Sequence, residues 1–113
     1  IHMNDMIGVY LHFLELGAKA PGIYNAGFEN ISILDIAKKV TEHIPSEIKI
    51  TESNDPRSYR QDSNKLIKTG FNPKYSIENA IKDVIEAYNR GKVKDEDRCY
   101  NMKTMKKIFG KNE

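Results

Sequence analysis

Several residue types on which function classes depend are scarce in this chain. Of its 113 residues only Cys99 is a cysteine and none is a tryptophan. A single cysteine excludes an intramolecular disulfide, and three scattered histidines, His2, His12 and His43, offer no metal-ligand cluster, so no metal site is expected. No apolar run approaches the roughly 18 residues needed to span a bilayer. The amino end likewise lacks a charged region followed by an apolar one. An excess of either charge is absent too: 18 basic residues against 16 acidic ones leave a formal charge of +2. That balance gives no general reason to expect nucleic acid or membrane as a partner. The expectation is a cytoplasmic protein with no internal repeat and no low-complexity tract.

What is present suits one small folded domain, with 39% hydrophobic residues. Asn4 or Asp5 can cap a helix carrying Met6, Ile7, Val9, Tyr10, Phe13, Leu14 and Leu16, apolar on more than one face and so expected to be well buried. His2 and His12 are expected to take packing or surface roles. After Pro21-Gly22, residues 22–27 read as a short strand ending in glycine. Ser32 begins a second helix with a stripe of Ile33, Ile36, Ala37, Val40 and Ile44, closed by Pro45. Ile48-Lys49-Ile50-Thr51-Glu52 alternates as a half-exposed strand should. Asp62 or Ser63 starts a short helix that packs Leu66 and Ile67 inward and ends at Gly70, while Lys65 is read as facing solvent. Ser76 caps a longer helix through Ile77, Ala80, Ile81, Val84, Ile85 and Tyr88, stopped by Gly91. From Lys92 onward charge dominates, and Met102, Met105, Ile108 and Phe109 suggest a weak amphipathic helix that docks or frays.

The chemistry concentrates in Asp55-Pro56-Arg57-Ser58-Tyr59-Arg60-Gln61-Asp62-Ser63-Asn64-Lys65. Arginine's planar fork suits two oxygens of a phosphate, and a tyrosine beside it can pack on a sugar or base. This stretch, followed by Gly70-Phe71-Asn72-Pro73, resembles the C-terminal signature of the extended short-chain dehydrogenase/reductase family, the NAD(P)-dependent nucleotide-sugar epimerases and dehydratases. Ile1-His2-Met3-Asn4-Asp5 and Ile23-Tyr24-Asn25-Ala26-Gly27 resemble two further motifs of that family, in its order. The resemblance covers roughly residues 1 to 90.

The resemblance implies an α/β fold: a small, mostly helical substrate-binding subdomain with short strands, the C-terminal fragment of a Rossmann-type enzyme. Residues 1–91 would form the substrate-binding region and 92–113 a charged helix or tail. It implies a nucleotide-sugar substrate, a homodimeric parent active in polysaccharide biosynthesis, and NAD or NADP held by an N-terminal domain outside this sequence. Substrate-binding residues would be Arg57 on the diphosphate or a sugar hydroxyl, Tyr59 against nucleotide or sugar, Arg60 as a second cation, and Asn25 and Asp55 as positioning groups. Asn25 and Gly27 would lie where the strand meets the pocket, although an asparagine near a glycine can equally make a turn. Arg57 could instead pair with Asp55 or Asp62 and tie the loop down.

No catalytic or cofactor-binding residue is expected within the sequence. It has no Gly-x-Gly-x-x-Gly loop. Tyr88-Asn89-Arg90-Gly91-Lys92 matches the family's Tyr-x-x-x-Lys only as letters, since Gly91 should break the helix that would align the two side chains. Glu52-Ser53-Asn54-Asp55 stands where many members carry Arg-Pro-Gly-Asp, so the usual phosphate arginine is absent or replaced by Arg57. The isolated fragment is expected to be inactive. A stand-alone nucleotide-sugar-binding module, or a protein-interaction module using the 103–109 segment, is the alternative.

Overall fold

The computed structural model describes residues 1–52 and 57–110. About half of the chain is helical: α1 (Met3–Leu16) with a 3-10 turn at Gly17–Lys19, α2 (Ile33–Thr41), α3 (Asn64–Ile67), α4 (Ile77–Asn89), a 3-10 turn at Asp97–Cys99, and α5 (Asn101–Phe109). Contacts divide the chain into two compact units, Ile1–Lys82 and Asp83–Glu113, so the divide falls within α4, ahead of the change in composition at Gly91. No helix among the described residues is long and apolar enough to cross a membrane.

In the first unit, α1 opens on a histidine. His2 is the N-cap, its Nδ1 accepting the Asn4 N–H at 3.1 Å, and its ring stacks on Tyr75 with centroids 4.6 Å apart. Asn4 and Asp5, the expected caps, are passed over because Asp5 is committed elsewhere. Only 3% exposed, its carboxylate accepts the backbone N–H groups of Lys74 and Tyr75 at 3.0 Å each. One face of α1 carries His2, Asp5, Val9 and Phe13 toward the interior, and Gly8 lets Phe71 approach: a Cβ there would sit 3.4 Å from the ring. The other face stays exposed, with Met3, Ile7, Tyr10, Leu11 and Leu14 each more than half accessible. This corrects the expectation of an all-round buried helix.

The core is small. Val9, Leu66 and Phe71 form it, and Phe13, Tyr24, Ala26 and Phe28 pack against it. His12 is structural, its Nε2 2.8 Å from Thr69 Oγ1 and its ring edge-on to Phe71. The expected strands at 22–27 and 48–52 are absent, since there is no β-strand among the described residues. Residues 24–28 still alternate like a strand, with Tyr24, Ala26 and Phe28 turned inward while Ile23 is 88% exposed. The segment is extended in its side-chain pattern, but among the described residues no second strand supplies a ladder. Ile50, in the other expected strand, is 77% exposed.

Local capping explains the remaining helix starts. Ser32 Oγ accepts the Asp35 N–H at 3.0 Å and donates to its carboxylate at 2.6 Å, which holds the Asp35 carboxyl below its usual range. At α4, Ser76 and Asn79 cap reciprocally, the Asn79 Oδ1 accepting the Ser76 N–H at 2.9 Å and Ser76 Oγ accepting the Asn79 N–H at 3.3 Å. Glu29 reaches in from a distant loop to accept the Ile77 N–H at 2.8 Å. The α2 and α4 stripes are only half covered: Ile36, Ala37, Val40, Ala80, Ile81 and Ile85 are partly buried, whereas Ile33 and Val84 are exposed.

The second unit is built from short-range contacts. Tyr100 Oη donates to Asp95 Oδ1 at 2.7 Å, and Thr104 Oγ1 donates to the Asp97 carbonyl at 3.1 Å. Lys103 Nζ lies 3.1 Å from Asp97 Oδ1 and 4.3 Å from the centre of the Tyr100 ring. Gly110, in the left-handed region at φ +45°, ends α5 with its N–H on the Lys106 carbonyl.

Candidate functional site

The residues around the expected ligand loop are organised by a clasp between two non-helical segments. One runs through residues 23–30 and the other through 61–65, and four pairs of groups align them antiparallel. Lys65 Nζ donates to the Ile23 carbonyl at 2.8 Å, and Asn25 Nδ2 donates to the Asp62 carbonyl at 3.3 Å. Ser63, 7% exposed, serves both sides of Gly27: its Oγ accepts the Gly27 N–H at 2.9 Å and donates to the Gly27 carbonyl at 2.7 Å. Asn30 does the same for Gln61, Oδ1 accepting its N–H at 2.9 Å and Nδ2 donating to its carbonyl at 3.0 Å. Side-chain amides and a hydroxyl thus stand in for the ladder that a neighbouring strand would provide.

The clasp reassigns some expected roles. Lys65, read as solvent-facing, lies across the Tyr24 ring at 4.3 Å and ties down Ile23. The Asn25 amide is partly spent on Asp62. The Asp62 carboxylate accepts the Asn64 N–H at 2.8 Å from one residue ahead of Ser63, the N-cap of α3.

Two grooves flank the clasp. One, of about 400 Å³, is lined by Glu29, Asn30, Ser32, Tyr59, Arg60 and Gln61 among others. Tyr59 is 77% exposed, and Arg60 has no ion pair with any described residue. The second, of about 470 Å³, is more apolar, with Met6, Val9, Tyr10, Phe13 and Tyr24 on its walls and Asn25 and Gln61 at its polar edge. Gln61 borders both. A third groove of about 430 Å³, around Asp5, His12 and Glu15, contains none of the expected site residues.

The structure therefore brings Tyr59 and Arg60 into one groove and places Asn25 in its neighbour. Arg57 is exposed, lines none of these grooves, and already has an interaction within the chain. Asp55 lies outside the described residues. Sequence reasoning missed Asn30, Ser32 and Gln61. Only Ser32 carried a signal, and that signal was read as a helix cap alone.

An Arg60 guanidinium with no carboxylate partner among the described residues can take a phosphate through two parallel hydrogen bonds, and Tyr59 offers a ring face beside it. The aromatic side chains of the neighbouring groove suit a flat or sugar-like group. Among the described residues no group of three or more His, Cys, Asp or Glu side chains could hold a metal ion. Between Tyr88 and Lys92 the helix is broken, since α4 ends at Asn89 and Gly91 turns the chain at φ +68°. Compared with known proteins, the chain matches no family model and no solved structure.

Proposed function

We propose that this chain is the nucleotide-sugar-binding region of a longer NAD(P)-dependent epimerase, dehydratase or reductase. The observation that carries the reading is the placement of Tyr59 and of Arg60, which has no ion pair with any described residue, in one groove, joined through Gln61 to an aromatic groove. A cation for the diphosphate beside rings for a nucleoside or sugar is the arrangement such an elongated ligand requires. The order of motifs along residues 1 to 90 supports the same reading. In this reading NAD(P) and the hydride chemistry belong to another part of the proposed parent, since the sequence carries no Gly-x-Gly-x-x-Gly loop. This region binds and orients; it does not transfer the hydride.

Calorimetric titration with uridine, guanosine, thymidine and adenosine diphosphate sugars tests the reading. At least one should bind, and Arg60→Ala should weaken it by roughly 1.5–3 kcal/mol through loss of a charge-assisted contact. Failure of every probe to bind, or turnover of a nucleotide sugar with NAD by this chain alone, would contradict it.

A second reading, a protein-interaction module, draws on α5. Its Met102, Met105, Ile108 and Phe109 are each more than half exposed, and on a helix they fall on the arc opposite Lys103 and Lys107. Removal of residues 92–113 should then abolish any association the full chain makes. Unchanged association would end that reading.

A further inference from the structure

We infer that the carboxamide of Gln61 is a ligand-reading group for a vicinal diol, and that Asn30 is the positioning residue that aims it. The inference rests on the nucleotide-sugar reading and names a contact that neither composition nor motif supplied.

Three observations converge on Gln61. It borders both grooves, where the phosphate-facing and ring-facing parts of an elongated ligand would meet. Its main chain is held on both sides by one side chain, because Asn30 takes the Gln61 N–H at 2.9 Å and gives to its carbonyl at 3.0 Å. Donor and acceptor ends of the Asn30 amide are both used on one residue, which fixes the amide's orientation as well as its position. The Gln61 carboxamide, by contrast, has no hydrogen bond to any described residue.

Gly27 supplies the third observation. It does not have positive φ, so its backbone does not call for glycine. A Cβ at position 27 would lie 2.7 Å from Gln61 Oε1, so the end of the Gln61 side chain rests against this glycine and would have to shift to admit a side chain there. An amide carried on a held main chain, lying against a glycine and without a hydrogen bond to any described residue, presents donor and acceptor side by side. A pair of adjacent hydroxyls, each able to donate and accept, matches that pattern. The hexose carries such a pair, and so does the ribose of the uridine, guanosine and adenosine sugars, though not the deoxyribose of the thymidine ones.

The test uses the full chain and the nucleoside diphosphate sugar that binds it, with the matching free nucleoside diphosphate as the second probe. In the unmodified chain the Gln61 side-chain amide resonances should shift on addition of ligand. Gln61→Ala should weaken binding about three- to tenfold, and because Gln61 is exposed the variant should keep its fold by thermal unfolding. Equal losses for both probes assign the diol to the ribose; a loss for the sugar alone assigns it to the hexose. Asn30→Ala should give a similar loss and leave the Gln61 side-chain resonances unresponsive to ligand, an effect that mere loosening of the fold would not produce selectively. Gly27→Ala, which keeps the amide but displaces it, should give a smaller loss than either. If no probe binds the unmodified chain, the nucleotide-sugar reading fails and takes this inference with it. If a probe binds and Gln61→Ala leaves its affinity and the resonances unchanged, this inference alone is overturned.

Discussion

The two units differ in how their polar groups are satisfied. In Ile1–Lys82, side chains reach across the sequence: Asp5 accepts from Tyr75 at a separation of 70 residues, and Ser63 holds Gly27 at 36. In the second unit, Tyr100 reaches back 5 residues, Lys103 reaches 6 and Thr104 reaches 7. The first unit has a core around Leu66, whereas the described residues of the second bury no side chain. A region held by long-range bonds over a core opens only with the whole unit, while one held by local bonds opens by itself. The candidate site is drawn entirely from the first kind, which suits a site that must keep its geometry before a ligand arrives.

The largest test of that contrast is Leu66→Ala. Leu66 is 0% exposed at the centre of the core, so its truncation should cost about 2–5 kcal/mol by chemical denaturation, whereas Ile108→Ala on α5 should leave the main transition where it was. Comparable losses at both positions would erase the distinction. Asp5→Ala comes next. It strips the partner from the Lys74 and Tyr75 N–H groups and should cost about 1–3 kcal/mol. If it proved neutral, the link across the first unit would be ornamental.

Smaller effects appear in the pH dependence, with opposite signs in the two units. Glu78 is held below its ordinary 4.5, first by its hydrogen bond to Lys82, at 2.7 Å. Its contribution is present above that ordinary value and is lost as pH falls through the lowered one, so Glu78→Gln should flatten the acid limb of the first unit's stability profile. Tyr100 is pushed above 10.0, chiefly by its hydrogen bond to Asp95. Its contribution is present below pH 10 and is lost as pH rises through the raised value, so Tyr100→Phe should remove an alkaline step confined to amides of the second unit. Both groups are exposed and both steps should be slight. An acid limb unchanged in Glu78→Gln, or an alkaline step retained in Tyr100→Phe, would contradict the assignment.

What the sequence disclosed follows the same divide between local and distant. The starts of α2 and α4 were legible because Ser32 and Ser76 find their partners three residues away. The start of α1 was not, because the better caps by type, Asn4 and Asp5, lose to His2 once Asp5 is drawn to a loop that sequence spacing cannot connect to it. Residues 22–27 read as a short strand, yet a strand also needs a neighbour, and here Asn25 and Asn30 from one segment and Ser63 and Lys65 from the other bond the facing main chain instead. In the candidate site, Tyr59 and Arg60 were legible because their chemistry is carried by residue type. Asn30 and Gln61 were not, since two amides 31 residues apart acquire a role only when the chain brings them together.

The central claim is that side chains from one segment lock the main chain of the other and so shape the site. Native-state hydrogen exchange at the Gly27 and Gln61 amides, which donate to Ser63 Oγ and Asn30 Oδ1, tests it most directly. Both should exchange slowly, on the scale of the Ile67 amide within the first unit, and the Gln61 amide alone should speed up in Asn30→Ala. Exchange of either amide as fast as that of the Thr104 amide in the second unit would show that the clasp does not hold.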